Sequence, residues 1–124
     1  MTAAPASAPA RPLVNATLVG TLLQLAMVIS GHYAAEVQQL FAPLGMALSL
    51  VAGLLYARWA RPGTAGVAVG GGAAAGGVCA FAGILVSYLF GDVPAAVLGF
   101  GTASSAVAGA VGGLIGRLLA RRTA

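Results

Sequence analysis

Three side chains in this sequence could hold a cation or move a proton at a surface: His32, Glu36 and Asp92. All three fall between long apolar runs. His32 and Glu36 are four residues apart, a spacing that shares a face if the segment is helical. With Asp92 from a later connection they could form a mildly acidic mouth that attracts small cations. The competing expectation is that Asp92, two residues before Pro94, caps a helix while the other two are solvated. One histidine is a weak basis for a zinc site, so no metal is expected.

Within the apolar runs the polar groups are few. Thr17, Thr21 and Gln24 recur at i, i+4 and i+7, one stripe of a helix. Such a stripe could line a path for a neutral or weakly hydrated solute, or it could bond to neighbouring helices. The single cysteine, Cys79, has no histidine or cysteine near it in sequence and reads as a small core residue. Ser104 and Ser105 have no base nearby, and Gly70, Gly71 and Gly72 lie among apolar residues rather than at a strand-to-helix phosphate loop. A haem held by two histidines would need a second histidine. The expectation is a chain that is not an enzyme and needs no cofactor. Apart from Cys79 there is no ionisable group at depth, which disfavours proton coupling within the membrane.

The elements that must position these residues follow from composition. The chain of 124 residues is 60% hydrophobic and only 6% charged, whereas soluble domains carry about 25% charged residues. Four apolar stretches fit membrane spans, at about 13–30, 42–57, 65–90 and 94–120. Leu13 to Ser30, at about 1.5 Å per residue, gives roughly 27 Å, close to the thickness of a bilayer core. A cleaved leader is the rival reading of this first span, but it lacks a small-x-small cleavage site. Residues 1–12, with three of the six prolines, read as a disordered tail. Residues 121–124 read as a basic tail.

The charges are sorted by sign. Arg11, Arg58, Arg61, Arg117, Arg121 and Arg122 fall at the N-terminus, the middle loop and the C-terminus, and Glu36 and Asp92 fall in the other two loops. Basic loops stay cytoplasmic during insertion, so both termini are expected inside. Alanine, glycine and arginine without lysine suggest a bacterial inner membrane. The net charge of +4 comes from these helix ends, with no basic stripe interleaved with aromatics, so nucleic acid is not an expected partner. Tyr56 and Trp59 are expected at the inner interface and Tyr33, Tyr88 and Phe90 at the outer one.

Rows of small residues dominate the rest. Gly45, Ser49 and Gly53 share a register in the second span. Ala68, Gly72, Gly76 and Ala80 do so in the third, with Gly66 and Gly70 a further pair. Gly101, Ser105, Gly109 and Gly113 form a row in the fourth, flanked by Gly112 and Gly116. In lipid, helices associate through close backbone approach, which such rows permit. The second half also echoes the first at an offset of sixty: residues 51–55 resemble 111–115, Ala60 and Arg61 match Ala120 and Arg121, and Gly31 matches Gly91. A parallel repeat would place a substrate at the seam between its halves. The architecture expected is all-α: four transmembrane helices as two antiparallel hairpins, tightly packed in helices 3 and 4, and either a homo-oligomer or part of a larger membrane complex. Two functions fit. One is a non-catalytic subunit or assembly factor packing through its small-residue faces. The other is a homo-oligomeric channel or transporter for a small solute or ion.

Overall fold

The computed structural model describes residues 10–122, with the Arg122 side chain excluded. The expectation of a disordered tail therefore lies outside the described residues for 1–9, as does the end of the basic tail. The chain forms α1 (Ala10–Tyr33), a one-turn α2 (Ala35–Gln38), α3 (Phe41–Ala60), α4 (Ala65–Leu89) and α5 (Ala96–Arg122). Four of these are long and apolar enough to cross a membrane. At 1.5 Å per residue they reach roughly 30 to 40 Å, past the ends of a hydrocarbon core about 30 Å thick.

The helix ends follow local chemistry and extend the spans expected from sequence. Pro12 does not delay α1, which begins at Ala10, so Ala10–Pro12 are helical rather than tail. A proline in the first turn lacks only an N–H that has no helical partner anyway. Pro43 is accommodated in the same way near the start of α3. Thr64 caps α4, its hydroxyl accepting from the Val67 N–H at 3.1 Å. The end of α4 corrects the expectation for Asp92. Gly91 has φ +80, its N–H reaches the Tyr88 carbonyl, and the Asp92 N–H reaches the Ser87 carbonyl at 3.0 Å. This is a Schellman stop, which needs the left-handed residue that glycine supplies. Asp92 is thus the residue that closes α4. It does not cap α5, which begins at Ala96 after a tight turn at Pro94 and Ala95.

The four long helices form a bundle of two antiparallel hairpins, α1 with α3 and α4 with α5. The tightest pairing joins α4 to α5, followed by α3 with α5, while α1 and α5 lie on opposite sides. Equivalent helices of the two halves run parallel and meet residue by residue. Gly20 faces Cys79, Gln24 faces Gly83, Leu50 faces Gly112 and Leu54 faces Gly116. His32 meets Asp92, sixty residues on, at one end of the bundle. Only the His32–Asp92 pairing has the sixty-residue offset of the sequence echo; the helix contacts fall one residue short of it between α1 and α4 and two beyond it between α3 and α5.

The small-residue rows meet inside the bundle. A methyl group on Gly76 would lie 2.8 Å from Gly109 Cα and 2.9 Å from the Ser105 carbonyl. Methyls on Gly53, Gly109, Gly112 and Gly113 would strike the backbone carbonyls of Gly109, Gly72, Leu50 and Ala68 respectively. Gly45, Ser49, Gly72 and Ser105 are buried with them, and Gly101 packs half-buried against Ile84. Gly66 and Gly70 are exposed, Gly70 with nothing near it and Gly66 with only the Thr64 hydroxyl at 4.0 Å. One aromatic departs from expectation. Tyr56 is fully buried, its ring lodged against Gly71, so only Trp59 of that pair is exposed at the helix end. The missing side chain at Gly71 makes the hole that the ring fills.

Candidate functional site

The bundle has an arginine end, formed by the start of α1, the α3–α4 loop and the end of α5, and an acidic end, formed by α2 and the α4–α5 turn. In the acidic half α3 and α5 separate, leaving a cleft of about 460 Å³ between their first turns and the last turns of α1 and α4. Ligand pockets usually span about 300–1,000 Å³. Met27, Phe41, Met46, Ile84, Val97 and Phe100 line its walls, Gln24 and Ser105 its floor, and Gln38, Gln39 and Asp92 its mouth. From Val97 to Ser105 along α5 it descends roughly 12 Å. Phe100 is 79% exposed and Met46 and Ala42 are also exposed, so the cleft opens sideways as well as upward.

Gln24 anchors the floor. It is 2% exposed, and its amide donates to the Gly45 carbonyl at 3.0 Å and to Ser49 Oγ at 3.1 Å, with Cys79 Sγ at 3.9 Å. Ser49 in turn donates to the Gly76 carbonyl at 3.1 Å, and Cys79 Sγ reaches the same carbonyl at 3.3 Å. One side chain of α1 therefore ties α3 and α4 together. Gln24 Nε2 has spent its donors on these contacts. Ser87 Oγ, in a residue 2% exposed on the cleft wall, is without a partner among the described residues. The cleft thus presents a largely apolar wall interrupted by one buried, unpartnered oxygen, Ser87 Oγ, above the Gln24 amide.

The stripe expected at Thr17, Thr21 and Gln24 does not hold together. The buried face of α1 is Ala16, Gly20, Gln24 and Val28, and Thr17 and Thr21 lie beside it, half-buried and away from the cleft. Of the three mouth residues, two meet. His32 Nδ1 lies 2.9 Å from Asp92 Oδ2, joining the end of α1 to the α4–α5 turn. The imidazole packs against Phe90 at 4.5 Å and edge-on to Tyr33 at 5.0 Å. Glu36 is exposed on α2, and among the described residues no three His, Cys, Asp or Glu side chains come close enough to share a metal ion. The His32–Asp92 pair is an interhelical clasp beside the mouth.

The walls of the cleft were not foreseen from sequence. The signal lay in bulk: the first turns of α3 and α5 carry Phe41, Leu44, Met46, Val97 and Phe100 beside Gly45, Gly99 and Gly101. Below the mouth, where Asp92 is held by His32, the cleft is lined by apolar, amide and hydroxyl side chains. Comparison with known protein families, curated proteins and solved structures returns no match.

Proposed function

We propose that this small multi-pass membrane protein is a non-catalytic membrane component that takes up a neutral, largely apolar guest in the acidic-end cleft. The observation carrying this reading is the buried, unpartnered Ser87 Oγ on the wall of a largely apolar recess floored by the Gln24 amide. A buried polar group left unpaired is costly, and a guest with one hydrogen-bonding group would satisfy Ser87 Oγ. The small-residue faces are the weaker candidates for a working surface, because most of them are consumed within the bundle. The arginine distribution supports a cytoplasmic arginine end, with both termini inside and the cleft opening outward, as in a bacterial inner membrane.

The test is native mass spectrometry of protein released gently from membranes, beside the variant Ala42→Trp. Ala42 is exposed at the rim, so an indole there fills the cleft without touching the glycine seam. A stoichiometric small molecule retained by the parent protein and lost in the variant supports the reading. No retained guest, or equal retention by both, sinks it. A homo-oligomeric channel is the second reading, favoured by the outward-facing pair Gly66 and Gly70 on α4, which could seat a neighbouring copy. Its signature is a discrete homo-oligomer together with solute flux by the purified protein.

A further inference from the structure

The two halves of the chain also meet at the arginine end. Arg61, from the α3–α4 loop, donates through Nη2 to the Ala120 carbonyl at 3.4 Å. Arg117, from α5, donates through Nε to the Pro62 carbonyl at 3.3 Å and through Nη2 to the Gly63 carbonyl at 3.2 Å. Each strand of the junction thus holds the other. Between them lies a hollow of about 110 Å³ lined by Arg61, Pro62, Arg117, Ala120 and Arg121.

Three features of this hollow call for an anion. Three arginines line it, and the only two carboxylate side chains of the chain, Glu36 and Asp92, are at the opposite end of the bundle, farther than charges act in salt. The guanidiniums also keep donors to spare. Each has five N–H groups, of which Arg61 commits one and Arg117 two to carbonyls. Finally, Arg61 has a left-handed backbone, φ 49 and ψ 58, at a helix stop where glycine is the usual residue. An arginine held there at a backbone cost is spent on its side chain.

We infer that Arg61, Arg117 and Arg121 form a seat for a phosphate group, and that its natural occupant is the headgroup of an anionic phospholipid. Arginine forks match phosphate oxygens in pairs, which favours phosphate among anions. The lipid source follows from the neighbours: Leu118, 57% exposed, adjoins Arg117 on α5, and Trp59, 47% exposed, precedes Arg61 by two residues. A ligand seated there would have its charged head in the hollow and apolar chains beside the helix ends. The inference is independent of the cleft at the other end.

Trp59 is the only tryptophan and serves as the reporter. The full chain is reconstituted in phosphatidylcholine vesicles containing a minor fraction of either dibrominated phosphatidylglycerol or dibrominated phosphatidylcholine, and quenching of Trp59 is compared at equal mole fraction. The seat gives stronger quenching by the anionic lipid. A charge near the membrane surface is worth about 1 kcal/mol toward anionic lipid, so Arg121→Gln lowers the preference about fivefold and adding Arg61→Gln lowers it again. The junction bonds come from Arg61 and Arg117, so loss of Arg121 leaves them intact. Arg58→Gln, outside the hollow, leaves the preference in place. Equal quenching by the two lipids overturns the inference. So does a preference that survives the double variant and falls with Arg58→Gln, which would mark diffuse surface charge. Loss of the preference on adding millimolar inorganic phosphate supports the seat and makes free phosphate its competing source. Insensitivity to phosphate, with the variants behaving as stated, supports the lipid.

Discussion

The two halves of the bundle are built from the same four helices to opposite ends. Toward the arginine end, α3, α4 and α5 touch backbone to backbone, because glycine supplies no side chain to hold them apart. Toward the acidic end the same helices carry Phe41, Met46, Val97 and Phe100 and diverge around a cleft. In a bilayer the gain in bringing helices together comes from close contact, so the density of small residues decides where a bundle seals. The difference teaches that a small membrane protein can set a closed floor and an open mouth by residue size alone, with no charge at depth.

The largest effect should come from breaking the seal. Gly109→Leu drives a side chain into the Gly72 carbonyl and the Gly76 backbone. Overpacking of this kind costs about 3 kcal/mol or more where the neighbour is rigid backbone. The folded yield and the midpoint of detergent-induced unfolding should collapse. Gly99→Leu, on the same helix but with open space around it, should leave both unchanged. Equal damage by the two would mean the contrast between the regions is false.

Gln24→Leu strikes the boundary between the regions. It removes the bonds to Gly45 and Ser49 and the contact to Cys79. Interhelical hydrogen bonds in membranes average about 0.6 kcal/mol, so the loss should be about 1–2 kcal/mol in the same unfolding assay. A smaller change follows from loosening the mouth. His32→Ala releases the clasp to Asp92, whose partner side chain is 35% exposed, and should cost about half a kcal/mol or less. Hydrogen exchange should rise in the α4–α5 turn and stay unchanged at the glycine seam. The smallest effect has the opposite sign. Gly70→Ala, with nothing near it, should stabilise by up to about 1 kcal/mol through helix propensity alone.

Much of the architecture was legible because a bilayer constrains it so strongly. Span lengths, the sorting of arginines from acids and the small-residue rows gave the four helices and their tight packing directly. The errors arose where geometry in three dimensions overrides spacing. Asp92 before Pro94 looked like a cap, but Gly91 stopped α4 one residue earlier and turned Asp92 toward His32. Thr17 and Thr21 shared a stripe with Gln24 on paper, yet the buried face of α1 is centred on Gly20 and Gln24. Tyr56 looked interfacial until the space beside Gly71 was known. The cleft was the least visible feature, since it is a property of where two helices diverge and no single residue type marks it.

The reach of Gln24 has a bearing on the order of events in synthesis. While α1 is in the bilayer alone, its amide has none of the partners it will have, because α3 and α4 are not yet beside it. The arrival of α3 supplies two of them at once, and α4 then closes the set. The polar side chain of the first span is thus satisfied only when the second and third are both beside it.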